Sequence, residues 1–314
     1  MQTDIKGVIP IAPAVYNDQG KVDYDAYGNA LDVMLTGGSH GIALFGIAGE
    51  YYKLTTEEER QLIDVTVDRC GRHGRSSIVS NTRHSTEAAV EWAKYIEANG
   101  ADCMMLLPPF FLKPGGEGLY LHMKAVASAV TIPVMVQYAP DQTGVAIAPA
   151  TFERLTAEVP NISFFKIECK PPGHYITQMA NSSTTGDRGF FVGNAGFQLI
   201  EGLDRGAIGV MPGPSMFDVY RTIYDEYMAG NRDQAIDIHR QLVYFLNHIR
   251  QDVEMIIAFE KMILKRRGII PSDYCRKPTF IMDATFTRIF DELYEQIVPL
   301  FSARKEKHEY HQIG

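Results

Sequence analysis

The chain is short of several features that mark whole classes of protein. Its four cysteines in 314 residues, Cys70, Cys103, Cys169 and Cys275, lie far apart. With no Cys-x-x-Cys pair and no histidines at zinc-finger spacing, neither a disulfide framework nor a structural zinc site is expected, and the thiols are expected as buried apolar groups. No run of about 18 apolar residues occurs, so no membrane-spanning helix is expected. The opening Met1 to Lys6 lacks the basic and apolar regions of a secretory leader, which puts the expected location in the cytoplasm. Positive charge is in deficit: 30 Lys and Arg against 38 Asp and Glu leave a net charge of −8, and nucleic acid is not an expected partner. No Gly-x-Gly-x-x-Gly follows the first apolar run, which argues against a Rossmann unit.

What is present is a regular alternation. Short apolar runs at 8–15, 41–45, 77–79, 103–107, 132–136, 162–167, 189–192 and 207–211 read as strands buried on both faces. Amphipathic stretches at 23–35, 56–69, 86–98, 117–130 and 148–158 separate them at a step of about 30 residues, the length of a βα unit. Thr55-Thr56 before Glu57-Glu58-Glu59, and Ser85-Thr86 before Glu87, put capping hydroxyls and carboxylates at helix starts. Gly37-Gly38 and Asn99-Gly100 stand where left-handed residues close helices. Eight strands in succession favour a closed (β/α)₈ TIM barrel, expected over residues 1–228. Beyond it, apolar residues three and four apart at 231–250, 253–267 and 284–301 predict a C-terminal helical layer over 229–303. Residues 304–314 are polar and aperiodic; His308 and His311 there read as part of a frayed tail rather than a metal pair.

In such a barrel the reactive groups stand at the carboxyl ends of the strands. The sixth run, Asn161-Ile162-Ser163-Phe164-Phe165-Lys166-Ile167-Glu168, places a lysine inside apolar sequence near its end, with Ile162, Phe164 and Lys166 expected on one face. Desolvation favours the neutral amine, a nucleophile able to form an imine with a ketone. On residues alone, a lysine that snorkels to solvent or pairs with Glu168 is equally open. After the second run, Gly46-Ile47-Ala48-Gly49-Glu50 permits a sharp turn with exposed amides that suits a carboxylate.

Taken together these residues resemble the dihydrodipicolinate synthase and N-acetylneuraminate lyase family of Schiff-base (β/α)₈ enzymes over nearly the whole chain. Gly46-Ile47-Ala48-Gly49-Glu50 followed by Leu54-Thr55-Thr56-Glu57-Glu58-Glu59-Arg60 is similar to the family's Gly-Thr-Thr-Gly-Glu turn and following helix. Ser85-Thr86-Glu87-Ala88, Gly100-Ala101-Asp102, Pro108-Pro109-Phe110-Phe111, Ile132-Pro133-Val134, Pro140 with Thr143-Gly144, and Lys166 complete the likeness. It implies that Lys166 forms the imine, that the backbone at Ala48 and Gly49 holds the keto acid carboxylate, and that the protein is a homo-oligomer, commonly a tetramer. No metal or organic cofactor is implied, since the imine is the electron sink.

The departures from the family pattern bear on substrate. Ile47 and Ala48 replace two threonines, one of them in a proton relay, and Gln137-Tyr138-Ala139-Pro140 stands where the family reads Tyr-Asn-x-Pro. Phe111 aligns with the synthase's second relay tyrosine, and Gln142 with its arginine for aspartate semialdehyde. The pattern is closer to the branch that dehydrates or cleaves 2-keto-3-deoxy sugar acids. A lyase acting on such a 2-keto acid is the expectation; dihydrodipicolinate synthase itself and a catalytically silent keto acid sensor are the alternatives. Lys166, Tyr138 and Glu168 are the candidate catalytic residues. Tyr138 is open between proton transfer and packing under a helix, and Glu168 between moving a C3 proton and standing in water. Ile47, Ala48, Gly49, Phe111, Gln137, Arg83 and Gly193 are candidate substrate contacts.

Overall fold

The computed structural model describes residues 4–302; the expected polar tail, with His308 and His311, and the first three residues lie outside the described part. All eight apolar runs contribute a strand to one parallel sheet: β1 (Gly7–Val8), β2 (Gly41–Leu44), β3 (Ser76–Asn81), β4 (Cys103–Leu106), β5 (Val134–Tyr138), β6 (Ile162–Ile167), β7 (Gly189–Val192) and β8 (Gly209–Val210). Each strand pairs with its neighbour in sequence from β2 to β8, and β8 pairs with β1. The ring closes between β1 and β2 through Val8 O accepting from His40 N at 2.8 Å and Ala43 O accepting from Ala12 N at 2.7 Å. This is the (β/α)₈ barrel that the alternation predicts. Pro10, which has no N–H to donate, interrupts the first run, so β1 is formally short although Ile9 and Ile11 still donate to Val210 and Pro212.

The connecting helices are α1 (Tyr24–Thr36), α2 (Thr56–Arg72), α3 (Thr86–Ala98), α4 (Gly116–Ala127), α5 (Pro140–Thr143), α6 (Pro149–Glu158), α7 (Pro172–Ala180), α8 (Leu199–Asp204) and α9 (Phe217–Met228). Local chemistry explains their limits. Thr55 and Glu58 form a reciprocal capping box at α2, with Oγ1 accepting from Glu58 N at 3.2 Å and Oε2 from Thr55 N at 2.9 Å. Such a cap contributes about 1 kcal/mol. Gly38 and Gly100, at φ +102° and +84°, turn the chain out of α1 and α3.

Two apolar cores follow from strands buried on both faces. Ile9, Ile11, Ala43, Ile78, Cys103, Met105, Met135, Phe191 and Met211 fill the barrel, with Phe164 against them. The larger core lies between strands and helices and holds Val134, Val136, Tyr138, Phe165 and Ile167. Ile162 belongs to this outer core rather than to the Phe164 and Lys166 face. The register between β5 and β6 shifts at Val134/Met135, and that irregularity breaks strict alternation.

Three helices follow Met228: α10 (Arg232–Ile249), α11 (Val253–Arg266) and α12 (Ala284–Ile297). Helix α10 packs along α9 and α12, while α11 touches the short turn Ile47–Gly49 after β2. Buried ions tie this layer to the barrel. Arg267 Nη2 lies 2.7 Å from Asp218 Oδ2. The fully buried Glu50 is paired with both Lys261 and, at 3.2 Å, Lys53, which also reaches Glu254 at 2.7 Å. Among the described residues no helix is long and apolar enough to cross a membrane.

Candidate active site

Filling the barrel with Met105, Met135 and Phe164 makes a floor, and the next inward positions on β5 and β6 are Gln137 and Lys166, which are register partners. Two residues beyond Lys166 the same direction brings in Glu168. These three side chains are nearly inaccessible, 2–7% exposed. Lys166 Nζ lies 3.3 Å from Glu168 Oε1, Gln137 Nε2 donates to Glu168 Oε2 at 2.6 Å, and Asn194 N donates to Oε1 at 3.0 Å. Burial pushes the Glu168 carboxyl up, but the Lys166 charge and the Asn194 and Gln137 donors outweigh it and hold the group below the ordinary glutamate range. The buried carboxylate thus favours its ionised form beside the Lys166 amine, and the solvated-loop alternative does not apply.

The loop after β7 is shaped around that carboxylate. Asn194, Ala195 and Gly196 all take positive φ, between +52° and +69°. For the two non-glycine residues this costs on the order of 1 kcal/mol each, and it aims the Asn194 amide at Glu168. A Cβ on Gly193 would lie 2.1 Å from Glu168 Cγ, so the position needs a hydrogen there. Gly193 thus makes room for the carboxylate and is not among the residues that line the cavity above Lys166.

A cavity of about 50 Å³ opens above Lys166, lined by Ile11, Ile47, Ala48, Gln137, Gln142, Lys166, Glu168, Ala195, Met211, Pro212, Gly213, Arg250, Val253 and Ile256. At roughly 10–15 Å³ per water centre, that is space for only a few waters or one small acid headgroup. Beyond it lies a larger cavity of about 670 Å³ bounded by Tyr51, Tyr52, Leu107, Phe110, Asp141, Thr143, Lys170 and Asp252; Ile47, Gln142, Arg250 and Val253 line both. The lining of the inner cavity holds no hydroxyl side chain among the described residues.

Ile47 and Ala48 stand where the turn motif predicts. The Ala48 N–H has no hydrogen-bond partner among the described residues, whereas the Gly49 N–H is spent on Gly46 O at 2.8 Å. Ala48 alone of that expected pair offers an amide. Tyr138 is corrected: on β5 it follows Gln137 by one residue and turns out of the barrel, packing on Tyr175 and Phe152 with ring centroids 4.7 and 5.8 Å away. Its hydroxyl accepts from Ile147 N at 3.4 Å. Arg83 is corrected as well, because Glu59 on α2 pairs with it and Trp92 stacks under it at 4.4 Å, outside both cavities. Phe111 is 79% exposed and lines neither cavity; the adjacent Phe110 borders the outer one.

Arg250, Val253 and Ile256 come from the corner between α10 and α11, which sequence reasoning confined to strand ends does not reach. Burial lowers the Arg250 pKa from the usual guanidinium value, opposed by the nearby Glu168 charge. No carboxylate or carbonyl among the described residues accepts a hydrogen bond from its guanidinium; its ring neighbour is Phe197 at 5.7 Å.

A parallel eight-stranded barrel with a buried lysine and a carboxylate at the carboxyl end of one strand defines an enzyme-like site on a (β/α)₈ scaffold. The dihydrodipicolinate synthetase family model matches residues 4–295, and the chain belongs to that family, whose members are lyases. It is 32% identical over 244 residues to a 4-hydroxy-tetrahydrodipicolinate synthase of Symbiobacterium thermophilum, covering 75% of this chain and 78% of that one. It is 25% identical over 278 residues to an L-2-keto-3-deoxyarabonate dehydratase of Azospirillum brasilense, covering 87% and 88%. The fold superposes on dihydrodipicolinate synthase from Rhodopseudomonas palustris with a TM-score of 0.87 at 23% identity, covering 94% and 99%. A prophage protein of E. coli K12 from the same family, solved in complex with pyruvate, gives 0.85 at 20% identity over 94% and 99%.

Proposed function

We propose that this protein is a lyase that joins Lys166 as an imine to the C2 ketone of a 2-keto-3-deoxy sugar acid. The observation that carries the reading is the composition of the inner cavity: one amine with an adjacent carboxylate, one guanidinium, two amides and no hydroxyl. The amine of Lys166, its proton passed to Glu168, adds to C2, and Glu168 returns that proton to the departing hydroxyl, so that water leaves, the protonated imine remains and Glu168 is a carboxylate again. The imine nitrogen then draws electrons from C3 as Glu168 accepts the C3 proton, giving an enamine. Expulsion of the C4 hydroxyl as water, with the proton returned by Glu168, dehydrates the substrate; starting instead from the C4 hydroxyl proton, cleavage of C3–C4 gives an aldehyde and the same kind of enamine. Hydrolysis of the imine frees Lys166. Ala48 N–H faces the carboxylate, and Gln137 holds Glu168 in place.

The synthase reading fits this chamber less well, because its tyrosine and threonine relay has no hydroxyl counterpart here and Gln142 stands in place of its arginine. The family likeness supports a homo-oligomer, a tetramer in the expected case, acting in the cytoplasm. Borohydride reduction in the presence of pyruvate, followed by peptide mass spectrometry, tests the reading: one reduced adduct is expected, on Lys166, and none in Lys166→Ala. Absence of an adduct with pyruvate and with longer 2-keto acids refutes it and favours a keto acid sensor.

A further inference from the structure

We infer that Arg250 is the specificity-determining residue for the far end of the substrate and that this end carries a second carboxylate. The assignment rests on the imine reading above and extends it from keto acids in general to dicarboxylic ones.

Position comes first. With C2 at Lys166 and the C1 carboxylate at Ala48, a few-water chamber accommodates the reacting head, and the rest of a longer acid must run outward. Gln142 and Arg250 stand on that route, since they border both cavities while Lys166 and Ala48 border only the inner one. Charge comes second. In the inner cavity Lys166 and Glu168 pair at 3.3 Å, while Arg250 feels the Glu168 charge without bonding to it and has no ion-pair partner among the described residues. The outer cavity does not supply its partner: Asp141 is paired with Lys170 at 2.8 Å, and Asp252 caps α11 by accepting from Glu254 N at 2.8 Å. A half-buried guanidinium facing a cavity without a counter-ion is costly when the ligand is neutral and favourable when the ligand brings a carboxylate, which it can grip in a bidentate fork. Third, the side-chain oxygen of Gln142 is buried without a hydrogen-bond partner among the described residues, an acceptor for a hydroxyl on the carbon chain between the two acid groups. A 2-keto-3-deoxy aldaric acid, with hydroxyls between two carboxylates, satisfies all three.

The test uses the full-length protein and borohydride trapping on Lys166, titrating 2-oxoglutarate and 2-oxoadipate against their chain-matched monoacids, 2-oxopentanoate and 2-oxohexanoate. Wild type is expected to reach half-saturation at roughly ten- to a hundredfold lower concentration with at least one diacid than with its monoacid. In Arg250→Gln that ratio should collapse toward one, and Arg250→Lys, which keeps the charge but not the fork, should retain part of it. Equal half-saturation of diacid and monoacid in wild type overturns the assignment even if no variant folds. So does a ratio that survives in Arg250→Gln, which is the outcome if the arginine serves only to keep Glu168 ionised or to hold the C1 carboxylate. Adducts without diacid preference refute this assignment alone, whereas absence of adducts with every acid refutes the imine reading and this one with it.

Discussion

Replacing Gly193 with alanine inserts one methyl group into the back of the Glu168 side chain. The new Cβ would stand 2.1 Å from Cγ and 2.6 Å from Cδ and Oε1, whereas unbonded carbons rest about 3.5–4.0 Å apart. Gly193 has φ −97°, outside the left-handed region, so alanine adds no left-handed backbone penalty and the carboxylate must yield by about 1 Å or more. That displacement breaks at least part of the contact set at 2.6, 3.0 and 3.3 Å to Gln137, Asn194 and Lys166. A misplacement of about 1 Å costs on the order of a hundredfold in rate, and loss of a positioned base costs roughly 10² to 10⁴. Overpacking should also lower stability by about 1–3 kcal/mol. The assay is kcat on the best 2-keto-3-deoxy acid, with melting temperature alongside, for Gly193→Ala, Glu168→Asp and the double variant. Both changes displace the same carboxylate, so the double variant is expected to lose less than the sum of the two single losses; the non-additivity measures the contact. An undiminished kcat in Gly193→Ala refutes the idea that the seat of Glu168 governs turnover.

Tyr138→Phe should leave kcat close to wild type and cost about 0.5–1 kcal/mol in chemical denaturation, since the hydroxyl accepts one long bond from Ile147 N; a hundredfold fall in kcat would contradict its outward placement. The acid limb of the kcat/KM–pH profile, which reports the free enzyme, is expected below the ordinary glutamate value of about 4.3, because Lys166, Asn194 and Gln137 keep Glu168 ionised. By the same sign, the folded pKa is depressed, so the stabilisation from Glu168 is present above about pH 4.3 and is lost as pH falls through the folded value. Glu168→Gln should remove both effects, as read from pH-dependent melting and the rate profile.

The barrel is legible because eight apolar runs and their capping residues agree with a single period, and Lys166 stands out as a charge inside one of those runs. Its neighbours are harder to place. Strand β5 begins two residues later than its apolar run, which carries Gln137 and Tyr138 into the strand and lets the one-residue alternation decide which faces inward. The outward face of Arg83 depends on Glu59, a buried carboxylate 24 positions earlier on another element, and nothing in a linear pattern announces that pairing. Arg250 lies between two amphipathic helices and reads locally as part of the exit from α10. Only the packing of α11 against the turn after β2 brings it over Lys166.

The buried pair of Glu50 and Lys261 has a consequence for the order in which the protein becomes itself during synthesis. The eighth strand ends at Val210, so every rung of the barrel exists about 50 residues before Lys261 is made. At ribosomal speeds of roughly 5–20 residues per second that interval is some seconds long. Throughout it Glu50 has Lys53 but lacks the second of the two cations that make its complete burial affordable, and a buried carboxylate short of its partner is disfavoured by several kcal/mol. Burial of the turn carrying Ile47 and Ala48 is therefore expected to wait for the helical layer, whose α11 packs against it and whose Arg250, Val253 and Ile256 close over the lysine chamber.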